Sequence, residues 1–97
     1  MVIIHIGDVV GKIGRKALSA ILPKLIEKHD AGIVVVNGEN AAGGNGITPS
    51  VADSIFAAGA DVITTGNHVF AQKQAEELLR RDSRVLRPAN YPPGVPG

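Results

Sequence analysis

Thr64-Thr65-Gly66-Asn67-His68 ends an apolar run that begins at Val62, and it sets an amide and an imidazole side by side just after a glycine. Two other apolar runs end in a similar way. Val2-Ile3-Ile4-His5-Ile6 leads into Gly7-Asp8, and Ile33-Val34-Val35-Val36 leads into Asn37-Gly38-Glu39-Asn40. These runs are continuous and rich in β-branched residues, as expected of strands covered by helices in a parallel sheet. In an open α/β sheet the parallel strands end at one edge, and ligands bind in the crevice outside it. Asp8, Glu39, Asn40, Asn67 and His68 are therefore expected to meet in one place.

The segments between the runs support that class. Leu18, Ile21, Leu22, Leu25 and Ile26 recur at helical spacing within residues 14–30, opposite a charged face. Pro23 lies inside this helix, where it removes one backbone bond and is expected to kink the helix without breaking it. Thr48-Pro49 is a cap followed by a proline at the first helical position. That helix is expected to run to about Ala58 and to stop at Gly59. A weaker helix is expected over residues 71–81, with Ala75, Leu78 and Leu79 inward. Arg84-Val85-Leu86 reads as a short fourth strand. The order is βαβαβαβ, an α/β fold with a parallel sheet. Residues 1–90 form one domain, and the Pro/Gly-rich residues 91–97 read as a linker or a truncated end.

Two glycine-rich stretches invite comparison with nucleotide-binding loops, and both depart from the pattern. Only three residues separate Gly7 from Gly11, and Ile13 follows Lys12, so this loop lacks the P-loop spacing. The glycines of residues 38–46 do not follow the dinucleotide-binding spacing either.

Composition narrows the function. The 97 residues carry a net charge of +1, which gives no electrostatic case for nucleic acid or an anionic membrane. Phe56, Phe70 and Tyr91 are too few and too scattered for a base-stacking platform. No apolar run approaches the roughly 20 residues that span a bilayer. The absence of cysteine excludes disulfides and thiolate metal sites, and it suits a reducing, cytoplasmic setting.

Each site candidate also has an ordinary reading. Asp8 can bond its own turn, Asn67 can occupy a left-handed turn position, and His68 can be a plain loop residue. Glu39 is harder to explain that way, because glutamate is not a turn residue. Two carboxylates and amide oxygens without thiolate suit Mg²⁺, Mn²⁺ or Fe²⁺. A carboxylate bridging two such ions is the basis of two-metal hydroxide attack on phosphorus. A histidine alongside can protonate the leaving oxygen. His5 should lie on the opposite strand face, roughly 10 Å back from Asp8.

Gly7-Asp8-Val9-Val10-Gly11, Asn37-Gly38-Glu39-Asn40-Ala41-Ala42-Gly43 with Gly46-Ile47-Thr48, Gly66-Asn67-His68 and Arg87-Pro88-Ala89-Asn90-Tyr91-Pro92 carry a family likeness. The chain resembles the calcineurin-like metallophosphoesterases, in the bacterial branch that hydrolyses cyclic nucleotides and related phosphodiesters. The resemblance implies a fold like one half of a four-layer αββα sandwich. It implies that Asp8, Glu39, Asn40 and Asn67 are metal ligands, with Glu39 bridging two divalent ions, and that His68 is the catalytic acid. Gly43, Gly44 and Asn90 are weaker substrate-binding candidates. The branch usually has an aspartate three residues after the motif histidine, where this chain has Ala71. Its members also draw further metal-binding histidines from a second half, so this chain looks like the N-terminal half alone.

The expectation is therefore a metal-dependent phosphodiesterase chain that holds about half of its site and hydrolyses little by itself. A non-catalytic phosphate- or nucleotide-binding module and a structural fragment are the competing readings. Because the strands are apolar on both faces, a homo-oligomer, or association with a missing C-terminal half, is also expected.

Overall fold

The computed structural model describes all 97 residues. The strands are β1 (Val2–Ile6), β2 (Ala31–Asn37), β3 (Val62–Thr64) and β4 (Val85–Leu86), and the helices are α1 (Gly11–His29), α2 (Pro49–Ala58) and α3 (Ala75–Arg81). They alternate along the chain, and the four strands pair in parallel in the order β1-β2-β3-β4. The fold is α/β, as the apolar runs predict.

This strand order has a direct consequence. Every crossover steps in the same direction, and right-handed crossovers then place all three helices on one face. The burial pattern agrees. Val34, Val36, Ile63 and Val85 point into the core and are buried, and Ile4 and Ile6 pack against it. Their neighbours point the other way: Ile3, His5, Ile33 and Leu86 are exposed. One sheet face is therefore bare of this chain's own helices. His5 lies on that bare face, opposite to Ile4 and Ile6, as the alternation of a strand requires.

Leu22, Ile55, Ile63, Leu78, Val36 and Val85 are fully buried between the helices and the sheet. Each contributes about 1.5–3 kcal/mol by leaving water. Three loop residues, Ile47, Val69 and Val9, are buried in the same cluster. The loops at the strand ends are thus anchored by core side chains.

Element boundaries differ from the sequence reading in three places. Helix α1 begins three residues early, so Gly11 and Lys12 are helical and not part of a loop; Gly14 N–H donates to the Val10 carbonyl (3.1 Å) to close the first turn. The helix continues through Pro23 to His29. Helix α3 begins at Ala75, four residues later than expected. Residues 67–74 instead form successive turns, with Val69 N–H bonded to Gly66 O (3.1 Å) and Ala71 N–H to His68 O (3.0 Å). Ile21 falls in phase with the stripe of α1, yet it is exposed, because β1 is an edge strand with nothing beyond it. Helix α2 matches its expected limits. Thr48 Oγ1 accepts from Val51 N–H (3.4 Å), and Gly59 closes the helix at φ 125°, a conformation that favours glycine.

Residues 91–97 are folded back onto the domain. Tyr91 N–H bonds Pro88 O and Val95 N–H bonds Pro92 O, each at 3.3 Å. Arg87 donates to Val95 O (3.1 Å) and Pro88 O (3.0 Å). At the far edge, Arg84 grips Asp82 (3.0 and 2.8 Å) and covers the Phe56 ring at 3.8 Å. That guanidinium holds the Asp82 carboxyl below the usual carboxylate range.

Candidate functional site

The pairing of the strands continues into the loops beyond them. Val9 N–H bonds Asn37 O (3.2 Å) and Gly11 N–H bonds Asn40 O (3.0 Å), so the β1 loop lies against the β2 loop. On the other side, Gly38 N–H bonds Thr64 O (2.9 Å). The Glu39 loop is thereby stitched to both neighbours. It also closes on itself: Gly46 N–H bonds Glu39 O (2.6 Å) and Ala42 N–H bonds Gly46 O (2.9 Å).

Two side chains outside the predicted set hold this loop. Arg15, one turn into α1, donates to the Ala41 carbonyl. Gln72 donates to the Asn45 carbonyl (2.8 Å) and so ties the His68 loop to the Glu39 loop. Arg15 reads in the sequence as part of a solvated helix face, and Gln72 as a residue of α3. No periodic signal marks either as a clamp.

The stitched loops bring Asp8, Asn40, His68 and Glu39 together. Asn40 Nδ2 donates to both Asp8 oxygens (3.0 and 3.2 Å), and Asn40 Oδ1 meets His68 Nδ1 at 2.6 Å. An ionised Asp8 only accepts, which fixes the amide with its nitrogen toward Asp8. The Asn40 oxygen then accepts from His68 Nδ1–H, which leaves Nε2 as the ring nitrogen facing away from Asn40. The imidazole is therefore oriented by Asn40. Ala71, where the resemblance leads one to expect a carboxylate, is exposed and has no polar side chain.

Glu39 is the most constrained member. Its Oε2 is buried without a hydrogen-bond partner, the one such side-chain atom in the protein. The nearest cationic candidate, His68 Nδ1, is 3.9 Å away. Gly66 makes this position possible, since a Cβ there would overlap the Glu39 carboxylate. An unpaired buried carboxylate oxygen is costly, and a cation satisfies it. The donor set therefore fits a divalent ion, in kind if not in number. No three His, Asp, Glu or Cys side chains come close enough together to hold an ion by themselves.

The remaining candidates lie at the margins. Asn67 is exposed, and its side chain lines a cavity with Pro88, Asn90, Tyr91 and Pro92. It makes no hydrogen bond to the Asp8–Asn40–His68 chain. Gly43 and Gly44 adopt φ of 63° and 89°, with Gly44 packed beside the start of α1. His5 and His29 take no part in the site.

The family model described as YmdB-like protein matches residues 4–97. Among curated relatives, the chain is 42% identical over its full length to the 2',3'-cyclic-nucleotide 2'-phosphodiesterase of Bacillus subtilis, and spans 37% of that protein. Among solved structures, a protein of Thermus thermophilus described as hypothetical superposes with a TM-score of 0.91 at 39% identity, over all of this chain and 37% of the other. A phosphatase of Mycoplasma pneumoniae superposes with a TM-score of 0.87 at 34% identity, over 93% of this chain and 32% of the other. The chain thus spans about a third of the length of the relatives it matches.

Proposed function

Because the chain belongs to the YmdB-like family, we propose that it provides the oxygen-ligand half of a phosphodiesterase site for cyclic nucleotides or related phosphodiesters. The single observation that carries this reading is the buried, partnerless Glu39 Oε2 beside the Asp8–Asn40–His68 chain. The name of the Bacillus subtilis relative supports the substrate class.

In this reading Asp8, Glu39, Asn40 and Asn67 would hold two divalent ions (Mn²⁺, Fe²⁺ or Mg²⁺), the resemblance giving Glu39 to both. The ions supply Lewis-acid stabilisation at phosphorus and make water a nucleophile near neutral pH. Asn40 holds the imidazole by Nδ1, which leaves Nε2 to carry the proton. A protonated His68 then delivers it to the leaving oxygen. Its side chain is 44% exposed, open to a leaving group and to proton exchange with water. Gly43 and Gly44 offer backbone amides to substrate from the loop beside α1.

The non-catalytic binding module remains the competing reading, favoured by the small number of ionisable ligands. Paramagnetic broadening by Mn²⁺ separates the two. We expect broadening centred on Asp8, Glu39, Asn40, Asn67 and His68, with a dissociation constant weaker than micromolar, because ligand count sets affinity for such ions. Hydrolysis of bis-p-nitrophenyl phosphate by the isolated chain should be slight and abolished by EDTA. Broadening elsewhere, or hydrolysis that survives both EDTA and Glu39→Gln, would overturn the metal reading.

A cytoplasmic location and self-association belong to the same proposal. No helix is long and apolar enough to cross a membrane. Ile3, Ile33 and Leu86 lie on the bare sheet face, and Ile3 is 61% exposed. Exposed apolar surface of this kind favours a covering partner. A second copy related by a two-fold axis supplies a self-complementary one. Sedimentation equilibrium should show a dimer at low micromolar concentration. A monomer there would count against self-association.

A further inference from the structure

The Arg87-Pro88-Ala89-Asn90-Tyr91-Pro92 segment has no role in the metal half-site described above, yet it is tied down by several hydrogen bonds and an aromatic contact. With Asn67 it forms a half-open pocket of about 210 Å³ lined by Asn67, Pro88, Asn90, Tyr91 and Pro92. This is less than the roughly 300–1,000 Å³ of sites that take a whole drug-sized ligand. It suits one ring, not a complete nucleotide.

The walls are rigid. Pro88 and Pro92 have fixed φ. The Tyr91 ring meets Phe70 edge to face, with centroids 5.5 Å apart and planes at 79°. Tyr91 N–H bonds Pro88 O, Arg87 braces Pro88 O from outside, and Thr65 Oγ1 donates to Leu86 O at 2.5 Å just before the segment. Little ordering is left for a ligand to impose.

The lining chemistry selects the ligand. No Lys, Arg or His faces this cavity, so it is not built for a phosphate. Its free polar group is the Asn90 amide, which is bonded to no other protein group, while Asn67 at the rim belongs to the proposed metal half-site. That amide offers a donor and an acceptor side by side. That is the pairing by which asparagine reads the edge of a heterocyclic base. Two proline rings and a tyrosine supply apolar walls for a flat face. Asn67, at the rim of the cavity, directly precedes His68 in the chain.

We infer that this cavity is the nucleobase subsite, with Asn90 reading the base edge and Tyr91 and the prolines packing its face. The inference rests on the phosphodiesterase reading for its substrate class. Its test does not depend on turnover. Amide-resolved NMR spectra of the chain should be recorded with adenosine and, separately, with ribose 5-phosphate. Adenosine should shift the side-chain amide of Asn90 and the backbone amide of Tyr91. Ribose 5-phosphate should leave Asn90 unmoved. Asn90→Ala, at an exposed position, should weaken adenosine binding about fivefold or more. Equal shifts from ribose 5-phosphate would make this a sugar site and overturn the inference. Adenosine shifts elsewhere, or none, would also overturn it. The Mn²⁺ broadening separates the two readings. Adenosine shifts without metal broadening at Asp8 and Glu39 would keep the subsite and sink the catalytic reading; broadening without adenosine shifts would do the reverse.

Discussion

Gly66→Ala should disable the metal half-site while leaving the domain folded. An added Cβ would overlap the Glu39 carboxylate. Gly66 does not occupy the left-handed region, so alanine brings no backbone strain of its own. The atoms in the way are the far end of a flexible side chain, not backbone or core. Glu39 can therefore swing outward, at a cost expected to stay below about 1–3 kcal/mol, the usual penalty for overpacking a rigid core. The expected result is a thermal midpoint close to wild type, with Mn²⁺ broadening at Asp8 and His68 weakened at least about tenfold, a loss of about 1.4 kcal/mol in binding. Undiminished broadening, with Glu39 still among the affected residues, would show that the carboxylate has another way into the site.

The contrast between Gly66 and its neighbours shows what the sequence makes legible. Apolar runs, each ending in a glycine and a ligand-type side chain, are local patterns, and the parallel order of such strands follows from chain chirality. The meeting of Asp8, Asn40 and His68 is therefore foreseeable, as are the Thr48 cap and the Gly59 stop. The close approach of Gly66 to Glu39 is not, since it depends on the register between two loops. The bare sheet face is half legible: strands apolar on both faces call for a cover beyond the three helices, while the strand order 1-2-3-4 puts every helix on one side. The late start of α3 has a similar cause. Residues 71–74 have helical composition, yet Gln72 is bonded to the Asn45 carbonyl and Ala71 packs close to Gly46. These contacts accompany a chain held in turns, where tertiary context overrides propensity. Asn40 as the partner of His68 is likewise an arrangement of side chains that spacing alone does not reveal.

Glu39→Gln should give the second large effect, with opposite signs in the absence and presence of metal. Without metal, wild-type Glu39 keeps a carboxylate oxygen buried and unpartnered. Leaving such a group unsatisfied costs roughly 1–3 kcal/mol, and more when it is charged. Glutamine is nearly the same size and carries no charge, so the variant should be at least as stable as wild type. With metal the order reverses. A ligand that binds only the folded state stabilises it by RT ln(1 + [L]/Kd), about 1.4 kcal/mol at ten times Kd. For a domain of this size that is roughly 6–11 °C in Tm. The wild-type chain should show such a rise with excess Mn²⁺. The variant, lacking the carboxylate that suits a hard cation, should show almost none. Thermal melts of both proteins, with and without Mn²⁺, read all four values at once. A variant that melts well below wild type without metal would mean that Glu39 is a structural acid with a partner in solution. An equal Mn²⁺ shift in both proteins would mean that the ion binds elsewhere, and that the buried oxygen of Glu39 is not what draws it.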